Sequence, residues 1–218
     1  MELQQVIDKR YSLRRYGEGE IPEADIRAMV EAAGKAPSGD NRQNWHFVVV
    51  RDGQAVKRMA DIVRTKNARL CSEMEQDEPE MAARFGKLCK AVSLFFENAQ
   101  LLVLVYGSEW DPSSYRYVQA AGGSEETLES LKYRTRQGSL SIGAAMENFN
   151  LKAEELGYGC CWMTSANYAA DELEEAVKEM CGYEEEDYHI AALMPVGIPA
   201  GEGHSPRKKP VDEILTII

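Results

Sequence analysis

The chain has 218 residues, with 36 acidic side chains against 25 basic ones and a formal charge of -11. That length can bury about 70% of the unfolded surface and build a full core, and it leaves one or two domains open. The acidic balance argues against nucleic acid and anionic membranes as partners, and no run of eighteen apolar residues occurs to span a bilayer.

The first residues, Met1-Glu2-Leu3-Gln4-Gln5, lack the basic and apolar regions of a secretory signal. Arg10-Tyr11-Ser12-Leu13-Arg14 then offers two guanidinium groups and a hydroxyl at alternate positions, the donors a phosphate ester needs. Taken alone, such a run is more often the capped, solvated end of a helix than a ligand site. Ile26, Met29, Val30 and Ala33 recur at helical spacing after Pro22, which suits a first helical turn, and the helix should end near Gly34. Trp45 to Val50 is a β-branched and aromatic run that predicts a buried strand, as does Leu101 to Tyr106. Gly159 to Thr164 and Tyr188 to Val196 predict two more strands. Helical patterns lie between them, at about 54 to 70, 80 to 99, 139 to 156 and 171 to 181. Strands alternating with helices point to α/β or α+β.

Residues 107 to 130 hold turn formers and aromatics (Trp110, Pro112, Tyr115, Tyr117, Gly122, Gly123) without a clear period. Such a stretch reads as a substrate lid or as a surface excursion. Residues 171 to 187 carry nine acidic side chains against Lys178, the pattern of a solvated helix face. Pro206-Arg207-Lys208-Lys209-Pro210 sets three cations between prolines that restrain the backbone. The ending, Ile214-Leu215-Thr216-Ile217-Ile218, is apolar enough to need cover from its own body or from a partner subunit.

Cys71, Cys89, Cys160, Cys161 and Cys181 fall in no zinc or C-x-x-C spacing, and a disulfide between the adjacent pair would be strained. A reducing, cytoplasmic compartment is expected. His46, His189 and His204 are scattered, so no metal site is expected. There is no Ser-His-Asp order and no Walker loop. Gly157-Tyr158-Gly159 is not a dinucleotide fingerprint, because Trp162 replaces the third glycine and the run opens a strand.

Ala36-Pro37-Ser38-Gly39-Asp40-Asn41-Arg42-Gln43-Asn44-Trp45 resembles the A-P-S-x-x-N-x-Q-P-W stretch of the nitroreductase family. Arg10, Ser12 and Arg14 match that family's R-x-S-x-R/K signature, Gly157 to Trp162 its G-x-G-x-x-W element, and Pro206 to Pro210 its C-terminal phosphate clamp. The four motifs stand in family order, while residues 64 to 136 match only loosely. The resemblance implies an α+β fold: a central, mostly antiparallel sheet flanked by helices, in one domain over 1–218, with a helical or lid excursion at about 64–136. It implies an intertwined homodimer and an FMN-dependent oxidoreductase taking hydride from NADH or NADPH. Delivery to a nitroaromatic, quinone or related small-molecule acceptor would complete a ping-pong cycle. A non-catalytic flavin-binding or storage module is the alternative.

By the same resemblance, Arg10, Ser12 and Arg14 contact the FMN phosphate and ribityl chain, and Arg207 and Lys209 complete the clamp. Lys208 points away if alternate residues face opposite sides. Pro37, Ser38, Gly39, Asn41 and Gln43 line the flavin held mainly by the other subunit. The backbone of Cys160, Cys161, Trp162 and Met163 faces its N5 and O4 edge. The chemistry is the cofactor's, with no catalytic side chain and no metal expected, and the cysteines are small packed residues. Asn44 stands where the family has proline, which removes a fixed φ and questions the rigidity of that loop.

Overall fold

β1 (Trp45–Val50), β2 (Leu101–Gly107), β3 (Gly159–Cys160) and β4 (His189–Gly197) form one sheet in the order β1-β2-β4-β3, every pair antiparallel. The computed structural model describes residues 2–218, and Met1 lies outside the described residues. β2 is central and almost wholly buried, so both of its faces must be covered. Leu102, Leu104 and Tyr106 face one helical layer, α3 (Gly53–Met74) and α8 (Ala170–Cys181). Leu101, Val103 and Val105 face the other, α2 (Glu23–Gly34) and α7 (Gln137–Glu155). Period-two alternation on β2 thus meets helical stripes on both sides, giving three layers around two cores.

α7 buries Ile142, Ala145, Met146, Phe149 and Ala153 at helical spacing and runs the length of its layer. α8 buries Leu173, Ala176 and Val177 and turns its acidic side chains outward, ending at Gly182 in the left-handed region (φ 73°). A short α1 (Leu3–Lys9) precedes the body and buries only Val6.

Several elements depart from the sequence expectations. Pro22 is the N-cap of α2, in extended backbone, and not a first-turn residue. The helix expected at 80 to 99 is three pieces: α4 (Pro79–Leu88), a π-helical turn Cys89–Ser93 and a 3-10 turn Phe95–Asn98. The strand expected at 159 to 164 pairs regularly over two residues, and beyond them Cys161 bonds Pro195 and Met163 bridges Leu193 outside the regular ladder. The 107–130 stretch is not irregular. It holds α5 (Ser113–Ala120) and most of α6 (Glu125–Thr135), with Gly122 at positive φ between them. The tail after a 3-10 turn at Val211–Glu213 is exposed to its last residue.

Candidate functional site

After α1 the chain runs extended along the β3 edge. Ser12 bridges Cys160 in parallel register, and the Leu13 N–H donates to the Cys160 carbonyl at 3.1 Å. Leu13 is buried; a Cβ on Gly159 would lie 2.8 Å from its Cβ, so this approach requires glycine there. With Leu13 facing in, Ser12 and Arg14 face out. The Arg14 guanidinium reaches the Ser12 carbonyl (3.3 Å) and lies 5.7 Å from the Phe95 ring centre. Among the described residues neither Arg10 nor Arg14 is ion-paired.

The C-terminal run returns to the same place. Ala200 N–H donates to the Arg15 carbonyl (3.2 Å), and the Ser205 hydroxyl donates to the Arg10 carbonyl (2.8 Å). Gly203 packs so closely on Tyr11 that a Cβ would fall 2.1 Å from its ring. Residues 11–15 and 200–204 enclose a cavity of about 430 Å³. Arg207, Lys208 and Lys209 follow directly, exposed and without ion pairs among the described residues. Two basic segments almost 200 residues apart therefore meet at one edge of the sheet.

On that edge Cys160, Cys161 and Met163 are buried, and Trp162 is exposed. Cys161 N–H donates to Pro195 O (3.3 Å) and Met163 N–H to Leu193 O (2.9 Å). The backbone donors expected of all four residues are thus partly engaged in the sheet. The Trp162 N–H has no acceptor among the hydrogen bonds of the described residues outside regular helices and strands. The Cys160 thiol donates to Asn150 Oδ1 at 2.8 Å, and burial pushes its pKa well up. Burial also raises Cys161, against the opposing pull of Arg14 and Ser12.

Pro37 to Gln43 sits elsewhere. Gly39 N–H donates to Ser141 Oγ (3.3 Å) near the start of α7, whereas Asn150 holds Cys160 near its end. Nine residues of helix put these points about 14 Å apart. None of the described hydrogen bonds or ion pairs joins residues 37–43 to residues 10–14 or 160–163. Asp40, Asn41 and Gln43 all have positive φ (53°, 53° and 48°), and the Ser38 hydroxyl accepts from Gln43 N–H (3.0 Å). Three such residues within four positions is strained backbone held by its surroundings. Pro37, Asn41 and Gln43 are exposed, and Ser38 and Gly39 half-buried.

The Nitroreductase family model matches residues 7–198. This chain belongs to the nitroreductase family. It is 43% identical to a BluB-like flavoprotein of Clostridium difficile 630, with a TM-score of 0.94 and coverage of 100% of this chain and 99% of that one. An NADH dehydrogenase of Thermus thermophilus is 27% identical over 207 residues, 95% of this chain and 91% of its own. A Bacteroides fragilis nitroreductase with bound FMN shares the fold, at 20% identity, TM-score 0.67 and coverage of 100% and 99%.

Two features of this nitroreductase-family chain escaped the sequence reading. Asn44, in place of the family proline, is buried, and its Nδ2 donates to Ser108 O (2.6 Å) and Gly138 O (3.4 Å). The loop therefore regains through a side chain the restraint it lost through φ. Glu109 caps α7 from outside: its carboxylate accepts from Gly138 N–H (3.1 Å), Ser139 N–H (2.6 Å) and the Ser139 hydroxyl. The next residue, Trp110, packs on Gly39 and under the Arg42 guanidinium, 4.8 Å from the ring centre. The lid candidate is thereby fastened to the 37–43 loop. No local pattern announces this, because α6 and α7 are joined through Arg136 alone, in the left-handed region (φ 32°), with no room for a local cap. His46 stacks on Tyr183, and no group of His, Cys, Asp or Glu among the described residues is arranged for a metal.

Proposed function

We propose that this chain is an FMN-dependent oxidoreductase that uses NADH or NADPH to reduce a small acceptor, a nitroaromatic, quinone or related compound. One observation carries the reading: in a chain of charge -11, the two unpaired basic segments converge beside a sheet edge that offers a free backbone donor. Arg10, Ser12 and Arg14, with Arg207 and Lys209, form the donor set that a phosphate ester on a long polar chain requires. Trp162 N–H stands where a ring edge could be met. Bound there, FMN would supply hydride acceptance and hydride donation in two half-reactions.

Pro37 to Gln43 meets α7 at Ser141, about 14 Å along that helix from the Asn150 contact with Cys160, and we assign it to the flavin of the neighbour. This favours a homodimer with two composite sites. Cytoplasmic residence fits five free thiols, and no helix of the described residues is long and apolar enough to cross a membrane.

The purified protein should be yellow or take up FMN stoichiometrically, and NADH or NADPH should bleach it without oxygen. A colourless protein that cannot be reconstituted would overturn the reading. A flavin-loaded protein that neither nucleotide bleaches would instead make it a non-catalytic flavin module.

A further inference from the structure

We propose that Gln100 is a positioning residue for the flavin phosphate: one amide holds the two basic segments at a fixed separation. The inference rests on the flavin reading above, because it concerns the same convergence of Arg10, Ser12 and Arg14 with Arg207 and Lys209. Gln100 stands just before β2, half-buried, at the end of the central strand where both outer segments pass. Its Nε2 donates to the Gly17 carbonyl at 2.6 Å, and its Oε1 accepts from the Ile198 N–H at 3.1 Å. A carbonyl on one side and an N–H on the other fix which way the amide faces. An amide is the neutral group that donates from one atom and accepts at another in a single rigid plane. Methionine or glutamate at this position would lose at least one of the two bonds.

The two segments also bond each other. Gly17 N–H donates to the Ile198 carbonyl (2.8 Å), Ala200 N–H donates to the Arg15 carbonyl (3.2 Å), and Tyr16 bridges Pro199 in antiparallel register. This short ladder lies outside the four-stranded sheet, and Gln100 fastens it to the start of β2. The fit is close: a Cβ on Gly197 would fall 2.2 Å from Gln100 Oε1 and 2.5 Å from the Tyr16 ring. Farther out, the Ser205 hydroxyl ties the returning segment to the Arg10 carbonyl (2.8 Å). Gln100 and Ser205 are thus an inner and an outer tie, with the run from Arg10 to Gly17 between them and Arg207 and Lys209 just beyond. Cations brought together without counter-charges repel one another. A neutral tie resists their separation without cancelling the charge that a phosphate needs. Long cationic side chains grip one anion best when their backbones are already fixed, because ordering them at the binding step costs entropy. Cutting the inner tie moves that cost to the binding step, so the loss falls on the phosphate and spares the ring.

The test compares FMN with riboflavin, which has the same ring and ribityl chain but no phosphate, on the full-length chain freed of flavin. Gln100→Met keeps the length of the side chain and removes both bonds. It should weaken FMN about fivefold or more and leave riboflavin within about twofold. A merely structural role would weaken both alike. Asn167→Ala is the matched loss, since the Asn167 Nδ2 donates to the Ala191 carbonyl (2.9 Å) outside both basic segments. It should leave the ratio of FMN to riboflavin affinity at the wild-type value. Gln100→Asn, with a stem one methylene too short to reach both partners, should show the same selective loss and carries the test if Gln100→Met does not fold. Inorganic pyrophosphate, titrated calorimetrically into the same proteins, probes the clamp without a ring, so failure of the flavin reading and failure of this one are told apart. Pyrophosphate weakened about fivefold by Gln100→Met, in a chain that binds no flavin, would keep the tie and remove the flavin. Equal weakening of FMN and riboflavin, unchanged FMN affinity in a folded Gln100 variant, or an equal change of the ratio by Asn167→Ala would overturn the proposal. A wild type that binds neither FMN nor pyrophosphate would overturn it as well.

Discussion

Cys160 and Cys161 are the most reactive side-chain type at the candidate site, yet their surroundings hold both as thiols. Burial raises both, and Cys160 is also tied to Asn150. A thiol held neutral is a poor nucleophile. The Cys160→Ser, Cys161→Ser double variant should lose some stability but keep anaerobic flavin reduction by NAD(P)H; a folded, flavin-loaded variant that cannot be reduced would restore a thiol role. The arginines should behave in the opposite way. With Arg10 and Arg207 on the FMN phosphate as proposed, Arg10→Ala or Arg207→Ala removes a charge-assisted contact worth about 1.5–3 kcal/mol, so FMN affinity should drop about ten- to a hundredfold. Lys208→Ala should change it much less, and equilibrium dialysis of the three variants would decide. Tyr158, inside the Gly157–Gly159 turn, donates to Asp25 on α2 at 2.6 Å, and that bond, with burial second, pushes its pKa up to about 12. Because the folded value exceeds the ordinary value of about 10, the bond stabilises the fold at and below that pH. The contribution is lost as pH rises from about 10 to about 12. Urea unfolding across that window should show wild type converging on Tyr158→Phe, with the gap between them largest near neutral pH.

At the scale of elements, Asn44 anchors the 38–44 loop and Glu109 ties the lid to the start of α7. Asn44→Ala leaves the Ser108 and Gly138 carbonyls without their side-chain donor, and should cost about 1–3 kcal/mol in urea unfolding. Glu109→Ala uncaps the α7 N-terminus at about 1 kcal/mol and unfastens the lid, so limited proteolysis should cut faster between residues 110 and 135. Equal cleavage of wild type and variant would show that the lid is held by other contacts. Neither anchor could be read from the sequence, because each acts across more than twenty residues with no local pattern. The strands were legible where a continuous apolar run stays in the sheet, as in β1, β2 and β4. The run at 159 to 164 looks alike in composition, but Trp162 turns outward and regular pairing stops after Cys160. Periodicity likewise ran unbroken from 80 to 99, although the backbone changes from α to π to 3-10 geometry to bring Phe96 into the core and Phe95 toward Arg14. The family resemblance implied a clamp of Arg207 and Lys209 with Arg10, Ser12 and Arg14; the contact of Ser205 with Arg10 was not read from the sequence, since no spacing rule says where residue 205 returns.

At the scale of the whole molecule, one subunit leaves two demands unmet. Val211, Ile214, Leu215, Ile217 and Ile218 are exposed, as are Leu3 and Ile7 on α1. Both terminal segments thus present apolar side chains to the outside, beside a body with two cores. An apolar surface of this kind marks an interface. The second demand is the separation between the 37–43 loop and the convergent basic segments, which α7 keeps apart within one chain. A two-fold pairing satisfies both when each tail crosses to its neighbour and each loop faces the neighbour's basic cluster, because a two-fold axis returns every contact twice. In the proposed dimer tail burial and flavin binding would be one event, and obligate interfaces of this kind are large and often leave no stable folded monomer. Deleting residues 211 to 218 should therefore lower the melting temperature and release FMN in the same variant. Differential scanning calorimetry, flavin fluorescence and light scattering on one sample would read all three consequences. A truncated protein that stays dimeric and keeps its flavin would remove the tail from the interface, and a wild-type monomer fully active at nanomolar concentration would rule out composite sites altogether.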